Sequence, residues 1–318
     1  MSDEIQLARP STSAVVRAPL FTVRDLLLLL YLYPLQFVLR FISRDWLCRI
    51  GRASEPLLQL HFRKWRKQVE AKMLAAPGAG ISASEAPRIA RQVVSNAIFR
   101  LLDDGVISRP AFLKELHVSE VSGLEYVASA RAQQKGVLIV IGHFSATRIA
   151  RRYLRSIGFP MLAVRAHRPD AGVTGRLTGK LVQLRLAKFL QAAVQDEADS
   201  AAPDCTLKIL QRLRSGGLVS ITIDVAGGAR VVESRLLGAP RRFSTGLLDI
   251  VRLSGCAVVP MLCLGNSSDL KISFSPPLDV VDASSRDEFI DRNLPTLMKC
   301  VEKQIAEHPA EWILWGLL

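Results

Sequence analysis

The stretch GVLIVIGH at 136–143 sets how the rest of the chain is read. A short aliphatic run closed by Gly142 is a strand buried on both faces, and His143 follows it directly. Downstream the same alternation recurs. A helical stretch (145–157), a strand near 160–164 and helices at about 173–190 and 204–214 lead to LVSITID (218–224). A helix after Ser244, CAVVPMLCL (256–264), LKISFS (270–275) and a helix over about 286–307 complete the pattern. Strands alternating with helices predict an α/β domain with a largely parallel central sheet and helices on both faces. Ligands in such sheets sit beyond the carboxyl ends of the strands, and His143 and Asp224 each follow a strand there. Upstream, 83–103 and about 119–134 carry apolar residues at three- and four-residue spacings and read as amphipathic helices. The Ala-Pro-Gly-Ala-Gly stretch at 76–80 is the expected hinge, and no internal repeat is present.

The chain has 318 residues, 49% hydrophobic and 22% charged, enough for a sizeable core. Its net charge of +13 and pI near 10.0 call for an anionic partner. Mean hydropathy is +0.22, high for so charged a chain, which favours an anionic membrane surface over nucleic acid. Aromatic residues, at 6%, are too few and too concentrated at the N-terminus for a nucleic-acid platform. Five cysteines without a C-x-x-C argue against a zinc ribbon or a disulfide framework, and hence for a reducing compartment.

Residues 1–18 read as a flexible tail, and no cleavable signal peptide follows. The segment DLLLLLYLYPLQFVLRFISRDWL (25–47) is broken by Pro34 and Gln36 and is shorter than the ~20 apolar residues that span a bilayer. Its tyrosines, Trp46, Arg40 and Arg44 suit a membrane interface, so residues 19–50 are expected to form a membrane-anchoring helical segment. A basic flank supports that reading, with eight Lys/Arg against three Asp/Glu from Arg40 to Glu70. The α/β unit is then expected over 51–318.

Several motifs fail on inspection. GRLTGKL (175–181) lacks the first Gly and the final Ser/Thr of a phosphate loop, and no G-x-G-x-x-G or G-x-S-x-G occurs. The five histidines have no metal spacing, so neither a metal nor a cofactor is expected. His143 stands out, because a histidine after a buried strand and a Gly is placed to act as a general base in a cleft. From Arg148 to Lys188 there are ten Lys/Arg and one acid, Asp170, a positive field suited to a phosphorylated substrate.

At these residues the chain resembles a family. IGHFSATR (141–148) is similar to the G-H-F-x-x-x-E block of the bacterial lipid A biosynthesis late acyltransferases, within the lysophospholipid acyltransferase superfamily. VRAHRPDA (164–171), ITIDVAGGARVV (221–232), LLGAPRRFSTG (236–246), GCAVVP (255–260) and HPAEWILWGLL (308–318) resemble further blocks in the same order. The resemblance implies acyl transfer from acyl-carrier protein, acyl-CoA or a similar thioester to a hydroxyl of a lipid or glycolipid. In the family's pattern a His-x4-Glu/Asp pair does the work: histidine takes the hydroxyl proton and the carboxylate orients it. Arginines after the motif hold phosphate or stabilise the oxyanion. Arg148, Arg165, Arg168 and Arg185 are the expected substrate-binding residues, Arg185 standing in segment order where the family carries a central arginine. The implied setting is the cytoplasmic face of a bacterial inner membrane.

Position 148, five residues after His143, departs from the pattern: it is Arg. The chain also ends Gly316-Leu317-Leu318 where the family has His-Arg-Arg. Two classes therefore stand side by side. One is an acyltransferase whose His143 borrows another acid, Asp224 being the best placed because it too ends a strand. The other is a catalytically silent relative that binds lipid or a partner enzyme. A carboxylate within reach of the His143 ring would favour the first, and restoring an acid at 148 is then expected to leave transfer equal or raise it.

Overall fold

The computed structural model describes residues 23–39, 41–107, 109–165, 197–199, 202–224 and 230–317. At its centre β2 (Val137–Ile141) runs parallel to β5 (Leu218–Thr222) on one side and to β8 (Ala257–Asn266) on the other. All five β2 residues are buried, as a strand covered on both faces requires. Successive side chains enter opposite layers: Leu138 and Val140 join one apolar cluster, Val137, Ile139 and Ile141 the other. Among the described residues the sheet continues through β3 (Met161–Arg165) to β4 (Glu197–Asp199), both parallel to β5. On the far side β9 (Asp269–Phe274) pairs antiparallel with β8, and β1 (Val118–Ser122) pairs parallel with β9 at the edge. The result is the expected α/β fold with a mostly parallel sheet between helical layers.

One layer holds α4 (Arg63–Leu74), the first half of α5 (Ala86–Val106), α9 (Cys205–Arg214), α10 (Gly246–Ser254) and α11 (Arg286–Glu307). The other holds α2 (Gln36–Leu39), α3 (Arg44–His61), the end of α5, α6 (Phe112–Glu115), α7 (Leu124–Ala132) and α8 (Thr147–Ser156). The start of α11 is well defined: Ser285 accepts the Glu288 N–H at 3.1 Å, and Asp287 and Glu288 lie in the positive first turn. Bidentate pairing of Arg286 with Asp249, at 2.7 and 2.8 Å, ties α11 to α10.

The sequence-based expectation differs from the structure in three places. The helix expected over 119–134 is divided into β1 and α7. Gly123 turns between them at φ 74, and a Cβ there would stand 2.1 Å from the Phe274 carbonyl oxygen. Pairing with β9, some 150 residues downstream, decides this segment, and no local period reports such a contact. A hairpin, β6 (Val231–Leu236) and β7 (Ala239–Ser244), turns at Leu237-Gly238, both at positive φ. The stretch expected to hinge, 76–80, is instead docked: Gly78 N–H donates to the Leu237 carbonyl at 3.1 Å, and Leu237 N–H donates to Glu302 at 2.6 Å.

The apolar N-terminal segment forms α1 (Val23–Leu30), a π-helical turn (Tyr31–Leu35, containing Pro34) and α2. Among the described residues no helix is long and apolar enough to cross a membrane. One side of the segment packs on α5: Leu39 is buried against Gly105, and the Tyr31 hydroxyl donates to the Leu101 carbonyl at 2.8 Å. Burial pushes the Tyr31 hydroxyl up to about 12. Leu26, Leu30, Leu35, Phe37 and Val38 on the segment, Phe41 just beyond it and Trp46 on α3 are exposed. α3 runs across residue 50, where the anchoring segment was expected to end.

Candidate active site

β2 and β5 are parallel and adjacent, so their carboxyl ends emerge side by side. Ile141 pairs with Thr222, and the Ile223 N–H donates to the Ile141 carbonyl at 3.2 Å. This register carries His143 and Asp224 to the same edge. Gly142 leaves room for the Phe144 ring, since a Cβ there would come within 2.6 Å of it. His143 Nδ1 meets Asp224 Oδ1, and the His143 backbone N–H donates to Asp224 Oδ2 at 2.7 Å. The Asp224 side chain is completely buried, whereas the imidazole is a quarter exposed. A buried carboxylate is tolerated only when donors surround it, and this one has them. With Nδ1 turned to the carboxylate, Nε2 is the nitrogen left to exchange a proton.

The C-terminal segment closes this corner. Trp312 pairs with Phe144 as an antiparallel bridge; Ile313 N–H donates to the His143 carbonyl and Ser145 N–H to the Glu311 carbonyl, each at 3.0 Å. Trp312 Nε1 donates to Asp224 Oδ2 at 2.7 Å. The Ser145 hydroxyl donates to the Glu311 carboxylate, whose proton affinity burial raises and that bond lowers. Trp312 and Trp315 stack edge to face at 4.9 Å, both buried.

Arg148 lies on α8 with its Nη1 2.6 Å from Asp104 Oδ2. Its charge is thus met by α5 and not by the histidine. Arg152, further along α8, donates to the Arg109 carbonyl at 3.0 Å and lies over the Phe112 ring. Arg165 ends β3, at the same edge of the sheet as His143 and Asp224, and its side chain is outside what the structure describes. Arg168 and Arg185 lie outside the described residues. The structure therefore brings together His143 and Asp224 and places Arg148 in a separate pair. Among the described residues no three His, Cys, Asp or Glu side chains group as metal ligands. Trp312 and Asp104 were missed as partners of the site. The C-terminal block drew attention to HPAEWILW without revealing that one indole reaches a strand end 88 residues away.

The structure thus sets a His–carboxylate pair at the carboxyl edge of a mostly parallel α/β sheet. The profile of the family described as "Bacterial lipid A biosynthesis acyltransferase" matches residues 26–315. The chain belongs to that family and is an acyltransferase acting on lipid-like acceptors. Among solved structures it is similar to the 1-acyl-sn-glycerophosphate (LPA) acyltransferase PlsC from Thermotoga maritima. That match has 12% identity and a TM-score of 0.36, over 88% of this chain and 97% of that one. No curated protein matches the chain.

Proposed function

We propose that the protein transfers an acyl chain from an acyl-carrier-protein thioester to a hydroxyl of a phosphorylated, lipid A-like glycolipid at the inner membrane's cytoplasmic face. The single observation that carries the chemistry is the contact between His143 Nδ1 and the buried Asp224 carboxylate. In this reading Nε2 of His143 removes the acceptor hydroxyl proton as the oxygen attacks the thioester carbonyl. Asp224 holds the ring in the tautomer that leaves Nε2 free and steadies the imidazolium that forms. The tetrahedral intermediate then expels the thiolate, which takes up the proton. Family membership supports the acceptor class, and Arg165, Arg168 and Arg185 are the residues proposed to hold its phosphate.

Membrane association rests on a different observation. The outer side of α1, the π-helical turn and α2 presents Leu26, Leu30, Leu35, Phe37 and Val38, with Phe41 and Trp46 adjoining. Exposed large apolar side chains concentrated on one segment suit the acyl boundary of a leaflet, with the exposed Arg63, Lys64 and Lys67 of α4 available to anionic head groups. The test is transfer from lauroyl-acyl-carrier protein to base-treated lipid A, whose ester-linked chains have been removed to expose hydroxyls. Turnover by the full chain and none by His143→Ala supports the reading; equal product from both overturns it. Binding of the lipid without turnover by the wild type would establish the silent relative.

A further inference from the structure

We infer that Trp312 is a positioning residue of the proposed acyl transfer, acting through Asp224 on His143. The inference rests on the general-base reading of His143, but its key readout does not require turnover. Asp224 Oδ2 accepts two N–H bonds at 2.7 Å, one from the His143 backbone and one from Trp312 Nε1. Those two donors fix the rotation of the carboxylate so that Oδ1 faces the ring. The backbone donor alone leaves the carboxylate free to pivot about that bond; the indole, on the far C-terminal segment, removes the freedom.

The indole is itself held. Trp312 is 1% exposed, bridges to Phe144 and stacks on Trp315, whose own Nε1 donates to the Pro309 carbonyl at 2.7 Å. An indole has one donor and no acceptor, so its single polar atom is committed to Asp224. The C-terminal segment therefore does more than fill the core: it supplies the second anchor of an acid that the chain draws from β5 and not from α8.

The indole N–H also draws charge from the carboxylate. Removing it alters both that charge and the orientation of the carboxylate, so the contact between Asp224 and the His143 ring changes. Among the described residues the charged group touching the His143 ring is Asp224, while Arg148 is turned onto Asp104. The experiment follows carbethoxylation of His143 by peptide mass spectrometry against pH, on the full chain in detergent. It compares wild type, Trp312→Phe, a Trp312→benzothienylalanine variant that keeps the bicyclic shape but has sulfur for N–H, and Trp315→Phe. Both Trp312 variants should shift the reaction midpoint, and Trp315→Phe, which loses a buried indole bond elsewhere in the cluster, should not. In the transfer assay the Trp312 variants should lose about ten- to hundredfold in kcat with KM little changed, less than the about 10²–10⁴-fold of losing the base. If Trp312→Phe does not fold, the benzothienylalanine variant decides. Midpoints that stay at the wild-type value, or move equally in Trp315→Phe, overturn the inference. Transfer retained by His143→Ala would instead overturn the general-base reading and leave the titration result standing.

Discussion

Two side-chain pairs begin five residues apart along the chain, at His143 and Arg148, and they are built differently. His143 and Asp224 join the ends of two adjacent parallel strands, and the acid is fully buried beneath a partly open ring. Arg148 and Asp104 join the first turn of α8 to the end of α5, with the arginine side chain 31% exposed and the acid 13%. In the family's pattern one motif places the base and its acid on the same loop and helix. Here the acid position on α8 holds a cation that α5 neutralises, and the carboxylate reaches the histidine from β5. The lesson is one of register: two strands held in parallel alignment bring a histidine and an acid together across 81 residues of sequence.

The sharpest way to break this comparison is to remove the strand-end pair. His143→Ala should lose transfer by about 10²–10⁴-fold, the usual contribution of a general base. Asp224→Asn should lose most of it too, because an amide keeps the shape but not the charge that steadies the imidazolium. Circular dichroism and thermal melting should show both variants folded. A folded Asp224→Asn variant with wild-type turnover would sever the acid from the chemistry.

The second pair predicts a smaller and different effect. Arg148→Glu sets a carboxylate against Asp104, so the folded state should lose about 1–3 kcal/mol, between the costs of breaking exposed and buried pairs. The sequence pattern alone led to the expectation that an acid at 148 would leave transfer equal or raise it. Because Asp224 already occupies the Nδ1 side of the ring, no gain in transfer is expected. Denaturant melts of Arg148→Glu, Asp104→Arg and the double variant test the pairing. The double variant should recover most of the loss, and simple additivity would show that the two side chains are not coupled.

Much of this architecture was legible in the sequence. The apolar run of β2, the strands 257–266 and 269–274 and the helix of 286–307 all carry their period or their caps locally. Asp224 could be singled out because it ends a strand, a position that needs no partner to recognise. What escaped depends on distant contacts. β1 is a strand because β9 pairs with it, and the 76–80 stretch is fixed because Leu237 reaches it. The hairpin turns on Leu237-Gly238, which lacks the Asn-Gly or Asp-Gly signal of such turns. Arg148 offered the same charge whether it met a phosphate or Asp104, and composition cannot tell these apart.

A last expected effect concerns Asp103, the neighbour of Asp104 on α5. The two carboxylates are solved in opposite ways. Asp104 has an arginine, whereas Asp103 is nearly buried and is held by the Ser267 N–H at 3.1 Å and the Ser267 hydroxyl. Neutral donors offset the desolvation only in part, and burial pushes the Asp103 carboxyl from 3.8 up to about 6. For an acid raised in the folded state, the stabilising contribution is complete below the unfolded value near 3.8 and is lost as pH rises through about 6. Asp103→Asn has no such loss, and its amide oxygen can still accept from the Ser267 N–H. The stability of the variant relative to wild type should therefore improve between pH 4 and 7, by roughly 1–3 kcal/mol on the linkage relation. Urea midpoints of wild type and Asp103→Asn at half-unit pH steps would resolve the two curves; parallel curves over this range would mean that burial does not raise the Asp103 carboxyl.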